Sequence, residues 1–174
     1  MDIFNDNNLI QKKISKGTIL LSKGSVCKHA YKVTKGCLKS YVIDKAGKEH
    51  IIQFAPEDWI ITDLDSFLNN KPTYIFIKAI EESEVLVLNK STFNNLESVE
   101  KKFLLEQNNK LVRNLISMNR RLINLLSSTA IERYRDFLET YPALIQRLPL
   151  KLIAAYIGVT PEYLSDIRRK IAKK

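Results

Sequence analysis

The chain has 174 residues, enough for one ordinary domain or two small ones, and its 45% apolar and 27% charged content places it with globular rather than disordered proteins. No apolar run approaches the ~20 residues that cross a bilayer, and the N-terminal stretch lacks the continuous apolar core of a signal peptide; a cytoplasmic protein with reduced Cys27 and Cys37 and no membrane partner is expected. The net charge of +9 is uneven, with 13 basic against 12 acidic side chains in residues 1–97 and 15 against 7 in residues 98–174, a bias that suits attraction to a phosphate backbone.

A short helix is expected near Phe4–Lys13. From Gly17 to Asn89 the pattern becomes short strands separated by turns. Candidate strands are Thr18–Leu21, Ala30–Thr34, Leu38–Ile43, His50–Phe54, Ile75–Ala79 and Val85–Leu88, rich in Val, Ile, Tyr and Phe as half-buried strands are. Gly17, Gly24, Gly36 and Gly47 fall between them, and Asp44–Lys48 reads as a hairpin loop. Trp59, after the Pro56-Glu57-Asp58 turn, reads as a core anchor. Regular short strands with regular turns predict a jelly-roll-like β-roll over residues 1–97.

Residues 98–126 switch to a helical period, free of Gly and Pro for 29 residues, a rod of about 43 Å. Leu104, Asn108, Leu111, Leu115, Met118, Leu122 and Leu125 form a heptad seam that suits two parallel helices, with Asn108 as the polar position that fixes register. A second stripe, Val112, Ile116, Ile123 and Leu126, widens the apolar face, so that one stripe can pack on the chain's own β-domain and the other on a partner. So long a seam would be left exposed in a monomer, which predicts a homodimer.

Residues 127–174 read as three short helices. The first covers Ser128–Tyr141 and is ended by Pro142, the second runs from Pro149 to about Tyr156, and the third starts at Thr160. The last two make a helix-turn-helix. Ala154 is small where the helices approach, Gly158 suits a left-handed turn, and Ile153, Ile157 and Val159 fill the wedge. Thr160 is a good N-cap, Pro161 a good first helical residue, and Glu162 complements the positive helix end. Leu164, Ile167 and Ile171 bury one side, which leaves Glu162, Ser165, Asp166 and Arg169 opposite, where a recognition helix reads base edges. Arg169 suits guanine, and Glu162 or Asp166 suits cytosine. Lys151, Arg168, Lys170, Lys173 and Lys174 suit phosphate contacts. The whole is an α+β chain of three parts: β-roll at 1–97, dimerisation helix at 98–126, helix-turn-helix domain at 127–174.

In this order the parts resemble the Crp/Fnr family of bacterial transcription regulators, over nearly the whole chain. The resemblance implies a symmetric dimer on a palindromic, inverted-repeat operator in double-stranded DNA, with RNA polymerase as a further partner. It also implies a small-molecule effector sensed in a cyclic-nucleotide-binding-like β-roll and transmitted through the central helices. The chain departs from the nucleotide-binding members. Where they carry Gly-Glu-Leu-Gly followed by Arg-Ser or Arg-Thr, this chain has Thr62, Asp63 and Asp65, then Pro72-Thr73-Tyr74. Without that Arg an anionic phosphate is poorly held, so cyclic AMP is not the expected effector. Thr62, Asp63, Thr73 and Tyr74 are the candidates to line an effector pocket. The β-hairpin wing that often follows the recognition helix is not seen before Lys174, and Asp166 stands where several relatives place an Arg.

A metal-dependent jelly-roll enzyme needs clustered His ligands, but His29 and His50 are 21 residues apart and read as a turn residue and a strand residue. Two cysteines cannot alone ligate an iron–sulfur cluster, and no catalytic Ser-His-Asp set or phosphate loop is visible. No catalytic residue and no metal ligand is therefore expected. A sensor module acting through protein partners is the remaining alternative.

Overall fold

A computed structural model describes residues 9–90 and 101–172, with the side chains of 101–104, 106, 107 and 110 left aside. The chain folds as two compact units, Met1–Leu104 and Leu105–Lys174. The first holds strands β1 (Ile10–Ile14), β2 (Ile19–Leu21), β3 (His29–Lys35), β4 (Leu38–Ile43), β5 (Glu49–Ala55), β6 (Ile60–Ile61), β7 (Phe76–Ala79) and β8 (Ser83–Asn89), with helix α1 (Leu64–Asn69) between β6 and β7. Two four-stranded antiparallel sheets form, ordered β1-β8-β3-β6 and β2-β7-β4-β5. This is the expected β-roll.

Alternation along the strands builds its core. In β8, buried Ser83, Val85 and Val87 alternate with half-buried Glu84 and Leu86, the period of a strand with one covered face. Val33, Val85 and Val87 of one sheet meet Leu38, Ile77 and Ala79 of the other in a single apolar cluster, with Trp59 packed at its margin. The β4–β5 hairpin closes as its sequence predicts: the Asp44 carboxylate accepts from the backbone N–H groups of Ala46 at 2.9 Å and Lys48 at 3.0 Å. Gly36, at φ +87°, joins β3 to β4 where an added Cβ would lie 2.5 Å from the Glu82 carbonyl oxygen. Only glycine fits there.

Two expectations are corrected here. Residues 10–13, expected at the end of a helix, instead lie in β1, which pairs with β8 from Ile10↔Val87 to Ile14↔Ser83; Phe4 and the residues up to 8 lie outside the described part. His29 opens strand β3 rather than occupying a turn. Both cysteines are buried free thiols.

The second unit takes most of helix α2 (Lys101–Ser127), then α3 (Ala130–Thr140), a 3-10 turn at Pro142–Leu144, α4 (Leu150–Ile157) and α5 (Pro161–Ala172). At 1.5 Å per residue, α2 is about 40 Å long. Its seam residues are exposed in the single chain: Leu111 56%, Leu115 60%, Met118 56%, Leu122 55%, Leu125 46%. Asn108 is exposed as well, and Leu104 lies outside the described side chains. Val112, Ile116, Ile123 and Leu126 are likewise exposed. No helix among the described residues is long and apolar enough to cross a membrane.

Candidate nucleic-acid interface

The second unit is organised around a small aromatic core. Thr129 caps α3: its hydroxyl accepts from the Glu132 N–H, while the Glu132 carboxylate accepts from the Thr129 N–H at 2.7 Å, a reciprocal capping box. The Thr129 N–H, and after it the Thr129 hydroxyl donating at 2.8 Å, hold the Glu132 carboxyl below its usual range. One turn later Phe137 packs against Tyr141 and Tyr156 at centroid distances of 5.6 and 5.5 Å, and Tyr141 meets Tyr156 edge-on at 5.5 Å. Such tilted and edge-on pairs suit the ring quadrupole.

That core fixes α4. Ile153, Ala154 and Ile157 are buried, and Gly158 ends the helix in a left-handed conformation at φ 77°. The Val159 N–H then bonds back to the Ala154 carbonyl at 3.0 Å, closing the turn as helix C-caps do. The Thr160 hydroxyl accepts from the Tyr163 N–H at 3.3 Å, so α5 starts where its cap predicts. Leu164 and Ile167 are fully buried, and Ile171 is half-buried beside them.

The opposite face of α5 is polar. Glu162, Ser165 and Arg169 are exposed and Asp166 is half-buried, with Thr160 exposed at the helix start. The Arg169 guanidinium donates to the Asp166 carboxylate one turn back, and the Ser165 hydroxyl donates to the Pro161 carbonyl at 3.0 Å. Arg168 and Lys170 of α5 and Lys151 of α4 are exposed; Lys173 and Lys174 lie outside the described residues. The described residues singled out for DNA therefore lie on α4, on α5 and at the turn between them.

Sequence reasoning missed three neighbours. Tyr163 is 48% exposed at the flank of the same face; counting only positions directly opposite the buried stripe passed over it. Arg121 and Arg133 hold the carboxyl end of α4. The Arg121 Nη2 donates to the Tyr156 carbonyl at 3.1 Å, and the Arg133 Nε donates to the Ile157 carbonyl at 2.7 Å. No local signal marks such partners 35 and 24 positions away.

Three of the four candidate effector residues, Thr62, Asp63 and Thr73, are hydrogen-bonded within the β-roll. The Thr62 hydroxyl donates to the His29 carbonyl at 3.1 Å. Asp63 caps α1 by accepting from the Ser66 N–H at 3.3 Å, and its other oxygen accepts from the Thr73 hydroxyl. Thr73 is 2% exposed, whereas Tyr74 is 77% exposed. These four do not fit a cyclic phosphate: two acidic side chains, Asp63 and Asp65, stand there, and the first arginine of the chain is Arg113. A cavity of about 310 Å³ opens beside these residues, against Leu20, Ser22, Val26, Cys27, His29 and Tyr31; the Cys27 Sγ lies 3.3 Å from the Thr62 hydroxyl, and the Thr73 N–H donates to the Ser25 carbonyl at 2.8 Å. Burial, with the neighbouring Cys27 thiol, pushes the Tyr31 phenol up to about 12, so it stays a neutral hydroxyl there. Among the described residues no group of three His, Cys, Asp or Glu side chains could hold a metal.

The sequence model of the cyclic nucleotide-binding domain matches residues 11–98. No curated protein sequence matches the chain. Among solved structures, FixK2 from Bradyrhizobium japonicum superposes with a TM-score of 0.79 at 16% identity, over 95% of this chain and 85% of that one. The c-di-GMP responsive global regulator CLP from Xanthomonas campestris gives 0.74 at 12% identity, over 95% and 87% of the two chains. A Crp/Fnr-family transcriptional regulator from Thermus thermophilus gives 0.69 at 16%, over 94% and 86%. At these identities the likeness is one of fold.

Proposed function

The chain belongs to the cyclic nucleotide-binding domain family and has the Crp/Fnr fold, and from that premise we propose that it is a dimeric, sequence-specific DNA-binding transcription regulator rather than an enzyme. The observation that carries this reading is the outward face of α5. A helix capped by Thr160, buried through Leu164 and Ile167, presents Glu162, Ser165, Asp166 and Arg169 to solvent. Side chains of these types reach base edges in a major groove. Lys151, Arg168 and Lys170 flank them and supply the phosphate contacts that position without reading.

The exposed seam of α2 supports the dimer. Five apolar side chains at heptad spacing, each 46–60% exposed, are a stripe that a second copy of the same helix covers. A two-fold axis through that seam places two α5 helices in successive major grooves about 34–36 Å apart, hence an inverted-repeat operator. The β-roll is the sensing part, and the protein acts in the cytoplasm, with RNA polymerase as a partner. Its effector is not cyclic AMP, because Thr73 and Tyr74 offer no guanidinium. Thr62, Asp63, Thr73 and Tyr74 are the residues of this reading's effector site, supported by the cavity that opens beside them against Cys27 and Tyr31.

Selection from a random-sequence duplex library by the full chain tests this reading. Enrichment of an inverted repeat is the expected result. A pool that remains random after repeated rounds would favour a sensor acting through protein partners.

A further inference from the structure

The carboxyl end of α4 is a set of backbone carbonyls with no helical partner and a partial negative charge. Two arginines close it from different elements. Arg133, in α3, donates from Nε to the Ile157 carbonyl at 2.7 Å and from Nη1 to the Ser128 carbonyl at 2.6 Å. Arg121 comes from α2. Its guanidinium carbon lies 3.5 Å from the centroid of the Tyr156 ring while Nη2 donates to the carbonyl of the same residue. The ring beneath it is immobilised in turn, 7% exposed and wedged against Phe137 and Tyr141. Beside it, Arg120 pairs with Asp136 at 3.0 Å and Glu139 at 3.3 Å, tying α2 to α3.

The placement of this grip matters more than its strength. Tyr156 stands two residues before Gly158, the left-handed residue that sets the direction of α5. Arg121 stands between Met118 and Leu122 of the seam, within the same turns of α2. A guanidinium stacked on a ring and bonded to the carbonyl of the same residue fixes both distance and angle, which a point-charge ammonium on a flexible stem does not. We propose that Arg121 is a positioning residue that locks the recognition helix α5 to the seam of α2, so that the two half-sites of the operator are read at one fixed spacing. This rests on the DNA-binding reading above and adds to it the device that sets spacing specificity. Arg121 touches no DNA; it acts through Tyr156 and the turn at Gly158.

The test uses the full chain and the inverted repeat enriched from a random duplex library by the wild type. Binding is measured on that repeat, on repeats with one base pair added to or removed from the spacer, and on a duplex with one half-site. Arg121→Met should keep the half-site affinity and the dimer mass in sedimentation, yet lose the preference for one spacer. Tyr156→Leu, which leaves the carbonyl and removes the ring, should relax spacing in the same way. A merely structural role would lower binding to all the duplexes together and leave the spacer profile unchanged, which overturns the proposal. Should Arg121→Met fail to fold, Arg121→Lys decides: a flattened profile supports the lock and a wild-type profile overturns it. If the wild type enriches no repeat, the DNA-binding reading itself falls and the lock with it; a wild-type repeat with an unchanged variant profile removes the lock alone.

Discussion

Leu115→Lys places a charge at the centre of the α2 seam. Full burial of a leucine stabilises by about 1.5–3 kcal/mol, and Leu115 is 60% exposed in the single chain. Covering that remainder is worth about 1–2 kcal/mol per protomer. Two copies face each other across a two-fold seam, so the apolar loss alone is about 2–4 kcal/mol per dimer. At about 1.4 kcal/mol per decade this raises the dimer dissociation constant by roughly one to three orders of magnitude. Two unpaired ammonium groups in a closing seam add several kcal/mol more. Because the site is open to water before assembly, the fold of the monomer should be unaffected, as far-UV circular dichroism will report. Sedimentation at micromolar concentration should show wild-type dimers and variant monomers. A wild type already monomeric at that concentration, or a variant that still dimerises, would refute the reasoning.

Three further outcomes follow from the β-roll. Gly36→Ala combines a left-handed backbone with a Cβ 2.5 Å from both the Glu82 carbonyl oxygen and the Ser83 hydroxyl; a loss of about 2–4 kcal/mol is expected, and an unchanged Tm would contradict it. The Asp44 carboxyl is held below its usual range first by the His50 side chain and then by the Lys48 N–H. Its contribution to stability is therefore present above its unfolded pKa and lost as pH falls through the lower folded value; in His50→Ala the Asp44 carboxyl should titrate at higher pH by NMR, and an unmoved titration would remove His50 as the cause. Calorimetry with millimolar cyclic AMP should show no saturable heat, whereas a micromolar Kd would mean that a lysine replaces the missing guanidinium.

The strands whose sequences carry a buried face were legible before any coordinates. Leu38–Ile43 is rich in strand-forming apolar residues and bounded by Gly36 and the Asp44 loop, and β4 has those limits. Thr160, Pro161 and Gly158 carry local backbone preferences strong enough to place α5 to the residue. What escaped is what long-range pairing decides. Ile10–Ile14 has only Ile14 buried, so no apolar face announced a strand, and β8 alone makes it one. The two-residue β6 is too short for any period. Thr62, Asp63 and Thr73 read as ligand groups because their type suits one. The bond from the Thr73 hydroxyl to Asp63 spans ten positions and leaves no trace in the chain order. Arg121 was invisible for the same reason: a charged residue between Met118 and Leu122 of the seam looks solvated until Tyr156 is found under it.

The central claim is that the outward face of α5 reads DNA, and paired substitutions test it most directly. Affinities of Arg169→Ala and Lys151→Ala are compared with the wild type on the enriched inverted repeat and on random duplex, across a range of salt. Arg169→Ala should cost about 1–3 kcal/mol on the preferred site, little on random DNA, and relax choice at one base pair per half-site. Lys151→Ala should weaken both duplexes alike and flatten the salt dependence, because a phosphate contact releases counterions without reading bases. Equal losses for the two variants on both duplexes would contradict the account, since α5 would then not be the reader.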